Sequence, residues 1–100
     1  TIKPQADYPV DFLVTAADYN QSSNEFVLLG YQLTWSGMKS FLWRVQREGN
    51  QLNWSTARRY DLEPDGQWEA AVWDIEKPNR LWLSREGNQQ GFTAMAWVDF

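Results

Sequence analysis

Apolar and polar residues alternate along most of the chain, the period expected of β-strands whose two faces differ. The clearest run spans residues 25–35, where every second position is large and apolar: Val27, Leu29, Tyr31, Leu33 and Trp35. Runs of this kind predict strands in the segments 8–16, 25–35, 39–47, 51–62 and 91–100, with a shorter strand around Leu81 and Leu83.

Residues 67–75 fit two patterns. Trp68, Ala71, Val72 and Ile75 have the i, i+3, i+4, i+7 spacing of an amphipathic helix. The segment is also short and is bracketed by turn-forming residues on both sides, which favours a strand. We therefore expect a strand here and keep the helix as the alternative.

Two tight turns predict a strand register that can be tested. Glu48-Gly49-Asn50-Gln51 and Glu86-Gly87-Asn88-Gln89 each place Gly-Asn between alternating runs, a sequence typical of two-residue hairpin loops. Apolar residues then face apolar residues across both hairpins, whereas a shift by one residue would bring opposite faces together. The pairings are Val45 with Trp54 and Trp43 with Thr56 in the first hairpin, and Leu83 with Phe92 and Leu81 with Ala94 in the second.

Three further connections extend these hairpins into a meander. Residues 36–38 and 64–66 suit three-residue loops, and residues 76–79 suit a four-residue connection. A twisted antiparallel meander of about seven strands tends to close as a barrel or fold into a sandwich of two sheets. We expect one small all-β domain over residues 1–100. In chain order, the three connections predict pairing of Leu33 with Phe41, of Leu62 with Trp68, and of Trp73 with Trp82.

Composition supports one folded domain and limits its class. The chain has 100 residues, of which 43% are hydrophobic and 16% aromatic, with seven Trp. This suffices for a single small core and is far from the composition of a disordered chain. No apolar run is long enough to span a bilayer. Because the chain begins at Thr1, we expect a processed protein or a module of a longer one; its compartment is not readable.

Several kinds of chemistry lack their usual residues. The chain has no His and no Cys, which removes the commonest general base and metal ligand together with thiolate and disulfide chemistry. The acidic segment 61–66 is better interpreted as a turn than as a cation loop. A net charge of −4 argues against a binder of duplex nucleic acid. We therefore expect no enzymatic activity, no metal and no cofactor.

The alternation assigns one face of the meander to the core. That face also contains Arg58 and Asp74, diagonally adjacent on neighbouring strands. A partly buried ion pair is the simpler interpretation, and a charged group inside a ligand cavity is the alternative. The apolar residues of the face include Leu33, Phe41, Val72 and Leu83, with Trp43 and Trp54 beside them.

The opposite face is more apolar than a surface that meets only water. Adjacent Trp and Arg side chains are common at protein interfaces, and Trp rings also stack on sugars and bases. This pattern predicts a non-catalytic binding module that takes a protein partner or a second copy of itself, with a carbohydrate as the alternative. A face covered by another strand remains an open interpretation. The candidate site residues are Trp73, Trp82, Arg80, Met95 and Trp97.

Overall fold

A computed structural model describes residues 2–4, 6–8, 10–65, 68–86 and 93–100. The described residues contain seven strands and no helix, which confirms the all-β class. The strands form two antiparallel sheets, one with the order β1-β2-β3-β4 and one with the order β5-β6-β7, and they do not close as a barrel. The strands are β1 Leu13–Asn20, β2 Glu25–Thr34, β3 Gly37–Glu48, β4 Gln51–Asp61, β5 Trp68–Trp73, β6 Arg80–Glu86 and β7 Thr93–Asp99.

The ambiguous segment is a strand, as predicted. Trp68 and Trp73 of β5 are both buried, although an odd spacing would put them on opposite faces of a regular strand. A register irregularity between Trp68 and Ala70 inserts one extra residue and brings both indoles to the same side. That inserted residue also explains why the apolar spacing resembles a helix.

The predicted meander breaks between β4 and β5, so the pairing of Leu62 with Trp68 is wrong. The chain instead leaves the first sheet here and enters the second. Leu62 donates its backbone N–H to the carbonyl of Ser40 (3.0 Å), and Ser40 donates its own to the carboxylate of Asp65 (3.0 Å). The Trp68 indole donates to the carbonyl of Pro64 (2.8 Å). These bonds hold the connection against β3 and start β5 in the other sheet.

The register of the β2–β3 hairpin differs from the predicted register by an odd number of positions. Thr34 pairs with Gly37 across a two-residue turn, so Leu33 faces Met38 and not Phe41. The hydroxyl of Thr34 donates to the carbonyl of Gly37 (2.6 Å), whose φ of 127° suits glycine. Because an odd shift exchanges the faces, Leu33 is exposed while Phe41 stays buried.

The β3–β4 hairpin confirms the predicted turn but not the register further along. Glu48 pairs with Gln51, and Gly49 has the expected positive φ of 62°. An irregularity between Gln46 and Arg44 then shifts the strands, so that Trp43 lies opposite Arg59 and not Thr56. The corresponding prediction for Gly87 and Phe92 lies outside the described residues.

The β6–β7 register also differs, but by an even number of positions. Leu81 lies opposite Val98, whereas its predicted partner was Ala94. An even shift keeps every side chain on its predicted face. Leu81 and Leu83 therefore point into the core, and Trp82 points away from it.

The main core lies between the two sheets. Val27, Leu29 and Leu42 of the first sheet pack with the buried residues of the second, Trp68, Trp73, Leu81 and Leu83. Along one side, β1 lies beside β5. Thr15 of β1 donates its hydroxyl to the carbonyl of Trp68 (3.2 Å), and Asp18 accepts the backbone N–H of Trp73 (2.8 Å).

A second aromatic cluster covers the other side of the first sheet. The first strand begins at Leu13, later than predicted, because the preceding residues pack across this sheet. Phe12 stacks on Trp43 and Trp54, with ring centroids 5.4 and 6.4 Å apart. Trp43 and Trp54 are therefore half-buried beneath the N-terminal segment and do not belong to the main core, a correction to the predicted core face.

Candidate functional site

The outer face of the three-stranded sheet carries most of the predicted site. Side chains on this face form rows across β5, β6 and β7, because paired residues of antiparallel strands lie on the same side. The central row is apolar and aromatic, and a charged row follows it towards the β5–β6 connection. The rows are Val72–Trp82–Trp97, Ala70–Ser84–Met95 and Asp74–Arg80–Asp99.

Four of the five candidate residues lie on this face, and Trp73 does not. Trp73 exposes 7% of its surface and lies opposite Leu81 in the main core. The predicted pairing of Trp73 with Trp82 is wrong by one position, since Val72 is the residue opposite Trp82. One position exchanges the two faces of a strand, so Trp73 is buried and Val72 is exposed.

Sequence reasoning placed Val72 in the core and did not link Asp74 and Asp99 to the site. Asp74 and Arg58, which the pattern placed side by side, are apart: Arg58 lies on β4 of the first sheet, and Asp74 directly follows β5 of the second. The signal for Asp99 is its position opposite Arg80, which only the observed β6–β7 register reveals. The sequence does not show which of Val72 and Trp73 is buried, because this depends on the pairing that the β5–β6 connection imposes.

The guanidinium of Arg80 holds the exposed Trp97 ring in place. Arg80 forms a bidentate pair with Asp99, with Nε and one terminal nitrogen donating to separate oxygens at 2.8 and 2.9 Å. Its guanidinium carbon lies 3.9 Å from the centroid of the Trp97 ring, within the range of a cation–π contact. The hydrogen bonds from Arg80 hold the pKa of the Asp99 carboxyl below its usual value, and Asp99 in turn raises the pKa of Arg80.

Asp74 holds the Trp82 ring in place through a hydrogen bond. Its Oδ2 accepts the Trp82 indole N–H at 2.8 Å, and its Oδ1 accepts the backbone N–H groups of Glu76 (2.8 Å) and Lys77 (2.9 Å). The indole hydrogen bond, followed by the two backbone bonds, lowers the pKa of Asp74. One carboxylate therefore orients the indole of the central row and shapes the connection between β5 and β6.

The remaining surface of the face is apolar and exposed. Trp97 exposes 52% of its surface, Val72 55% and Met95 63%. Val72, Trp82 and Trp97 are neighbours in one row, and Met95 lies beside Trp97 on β7. Exposed apolar side chains that adjoin one another in this way are typical of an interaction site, whereas scattered ones are not.

Concave regions also lie elsewhere on the described surface, among them a polar one and an apolar one. A polar cleft of about 500 Å³ is lined by Glu25, Arg44 and Arg58 among others. The buried Glu25 forms an ion pair with Arg44 at 2.7 Å in this cleft, so these two charges neutralise each other. An apolar groove of about 580 Å³ runs beside Tyr19 and Phe26, under the N-terminal segment. Neither region contains a candidate residue of the predicted site.

Within the described ranges, no group of three or more carboxylates could hold a metal ion. The described residues also include no helix with the length and apolar character to cross a bilayer. No protein-family model, curated protein or solved structure matches the chain.

Proposed function

We propose that the chain is a non-catalytic binding module, built as a sandwich of two sheets, that docks an apolar protein surface on the outer face of β5-β6-β7. The observation that carries the proposal is the state of the polar groups around this face. Arg80 and Asp99 bind each other, and Asp74 binds the Trp82 indole. What these groups leave for a partner is the apolar surface of Val72, Met95 and Trp97.

This arrangement supports a protein ligand over a carbohydrate. Sugar sites combine an aromatic ring with polar side chains that hydrogen-bond to the hydroxyl groups of the ligand. Here the guanidinium of Arg80 is stacked against Trp97, and it also binds the carboxylate of Asp99. A protein interface instead needs an apolar centre with anchored aromatic side chains and a polar border. The fixed rings of Trp82 and Trp97 meet that requirement at little cost in side-chain entropy on binding.

The experiment places a photoreactive amino acid at Val72, in the centre of the face. Val14 on β1 is the matched control, because it is also an exposed valine on a strand, with 48% of its surface exposed against 55% for Val72. In extracts of the source cells, we expect Val72 to cross-link to a second polypeptide that Val14 does not reach.

A pair of Trp variants tests whether that cross-link depends on the face. Trp97→Ala should reduce the yield at Val72 at least about tenfold, since a central Trp anchor is typically worth about 2 kcal/mol or more. Trp35→Ala, which changes a fully exposed Trp in the β2–β3 turn, should leave the yield unchanged. Equal losses in both variants would contradict the proposal. Glycan binding that Trp97→Ala abolishes would replace it with the carbohydrate alternative.

A further inference from the structure

The two sheets have four edge strands, β1, β4, β5 and β7, which differ in how they are protected from pairing with another chain. The edges of β1 and β5 lie beside each other, linked by the hydrogen bonds of Thr15 and Asp18. The edge strand β4 contains an irregularity and the charged residues Arg58 and Arg59, two devices that discourage pairing with another strand. β7 has no irregularity, and its single charged residue, Asp99, is its last residue and is paired with Arg80. This strand is seven residues long, pairs regularly with β6 along its whole length, and contains no Pro, Lys or Arg.

The backbone groups along the outer edge of β7 can be assigned from one hydrogen bond. Phe100 donates its N–H to the carbonyl of Asn79 (3.0 Å), in line with the β6–β7 register. Since hydrogen bonding alternates along an antiparallel strand, the even-numbered residues of β7 bond to β6. Thr93, Met95, Trp97 and Asp99 therefore direct their backbone N–H and C=O groups away from β6. Among the strands that the structure describes, β6 is the only one that pairs with β7.

The same alternation accounts for the opposite edge of this sheet. Asp74 donates its N–H to the carbonyl of Arg80, so the even-numbered residues at this end of β5 bond to β6. The N–H of Trp73 must then point away from β6, and it does, towards Asp18 of β1. β1 thus satisfies two outward groups of β5, the N–H of Trp73 and the carbonyl of Trp68, whereas no strand in the described part of the chain pairs with the equivalent groups of β7.

We infer that the chain forms a two-fold dimer in which β7 of each copy pairs antiparallel with β7 of the other, with Ala96 on the axis. This register is the one in which the two strands overlap over their full length. It pairs Met95 with Trp97 of the second copy, and Thr93 with Asp99 of the second copy. Each pair then joins residues whose backbone groups point outward, as a hydrogen-bonded pair of an antiparallel ladder requires.

The side chains fit this register as well as the backbone does. Met95 and Trp97 form a sulfur–aromatic pair twice over, once on each side of the axis. Asp99 faces a hydroxyl, whereas a register shifted by six positions would set the two Asp99 carboxylates against each other. On the inner face Ala96 meets its own copy, and a methyl group allows the close approach of a pair that is not hydrogen-bonded. The two outer faces would join into one six-stranded surface.

A single cysteine tests both the dimer and its register, because the chain has none of its own. In Ala96→Cys the two thiols face each other across the axis, with Cα atoms about 4.5 Å apart, within the range of a disulfide. In Ala94→Cys, on the same face of the same strand, the Cα atoms are separated by about four strand residues, or roughly 13 Å. We expect mild oxidation to produce a covalent dimer of the first variant only. A covalent dimer of both variants to the same extent, or of neither, would overturn the proposal.

A second pair of variants tests the backbone contact without a cross-link. Met95→Pro removes an N–H that points away from β6, so the ladder within one copy stays intact. Two intermolecular hydrogen bonds are lost by symmetry, and the dissociation constant from sedimentation should rise roughly tenfold or more. Met95→Leu, which keeps the N–H, should remain dimeric.

A monomeric wild-type chain at every concentration tested would refute the dimer, and so would a folded Met95→Pro variant that dimerises as the wild type does. The dimer concerns the edge of the sheet, and the docking proposal concerns its face. The cross-link at Val72 on β5 therefore tests the face independently of the result at β7.

Discussion

Replacing Trp73 and Trp97 by Ala compares the two sides of the same three-stranded sheet. Trp73 is buried in the main core, where its ring centroid lies 5.9 Å from that of Phe100. Removing a buried Trp to the β-carbon costs about 3–5 kcal/mol of unfolding free energy. The backbone N–H of residue 73 still reaches Asp18 in the variant, so the loss comes from packing alone.

The loss at Trp97 should be smaller, because about half of this residue is already exposed. Half of the roughly 200 Å² of a Trp, at about 25 cal/mol per Å², gives an upper limit of about 2.5 kcal/mol. Alanine keeps part of that contact with the sheet, so we expect about 1–2 kcal/mol. Trp73→Ala should therefore lose about 1–4 kcal/mol more unfolding free energy than Trp97→Ala.

Urea unfolding followed by far-ultraviolet circular dichroism measures both values without relying on the fluorescence of the replaced residue. Trp73→Phe provides a milder core variant if the Ala variant does not fold. Its cost should stay below about 1.5 kcal/mol, because it keeps most of the ring and deletes an indole N–H that is buried without a hydrogen-bond partner. Equal losses for Trp73→Ala and Trp97→Ala would refute the assignment of the two faces.

Three other variants test particular local features. Gly49→Val should lower the unfolding free energy by at least about 1 kcal/mol in urea titrations, because a β-branched residue is strained at a positive φ; an unchanged midpoint would contradict the turn. Gly30→Ala should cost about 1–3 kcal/mol, since its Cβ would collide with the backbone of Leu13, and a stable variant would show that β1 can move. Asp74, whose pKa is lowered chiefly by the Trp82 indole, stabilises the fold above about pH 4 and loses that effect as the pH falls through its folded pKa. The melting temperature of Asp74→Asn should therefore lie below that of the wild type at pH 7 and approach it at pH 3, whereas a constant difference would exclude this linkage.

Period-two alternation predicted which side each residue of β6 and β7 would face, even where the pairing was wrong. Trp82 and Arg80 are two apart, as are Met95 and Trp97, so each pair shares a face in any straight strand. The β6–β7 register error was even and preserved those faces. This part of the candidate site depended only on local periodicity, which the sequence contains.

Trp73 was assigned to the wrong face because its prediction depended on the length of a connection. The residues from Asp74 to Asn79 accommodate either of two pairings that differ by one position. The choice between them depends on the carboxylate of Asp74, which binds the N–H groups of Glu76 and Lys77 and the indole of Trp82. That three-dimensional arrangement has no signature in the alternation of apolar residues.

The crossing from one sheet to the other was also beyond local reasoning. The turn around Pro64 has the composition of a hairpin loop, and nothing in its sequence excludes pairing between β4 and β5. The decisive contact joins Ser40 to Asp65, residues 25 positions apart. Contacts of this separation depend on tertiary packing, which overrides the preference of a short turn.

The outer faces of the two sheets differ in how their aromatic side chains are covered. On the first sheet, Trp43 and Trp54 are covered by the chain itself, because the N-terminal segment lays Phe12 across them. On the second sheet, Trp82 and Trp97 have no comparable segment over them among the described residues. Instead, Asp74 accepts the indole N–H of Trp82 and the guanidinium of Arg80 stacks on the Trp97 ring, which still exposes 52% of its surface.

That difference has a physical consequence for the free protein. A charged row lies beside the apolar row, and Arg80, held by its ion pair with Asp99, packs against the Trp97 ring. A partner that lays an apolar side chain across Trp97 would repeat the contact that Phe12 makes with Trp43. It would meet rings whose positions are already fixed, so less side-chain entropy would be lost on binding. The first sheet is therefore the chain's own example of the contact that we propose for the second.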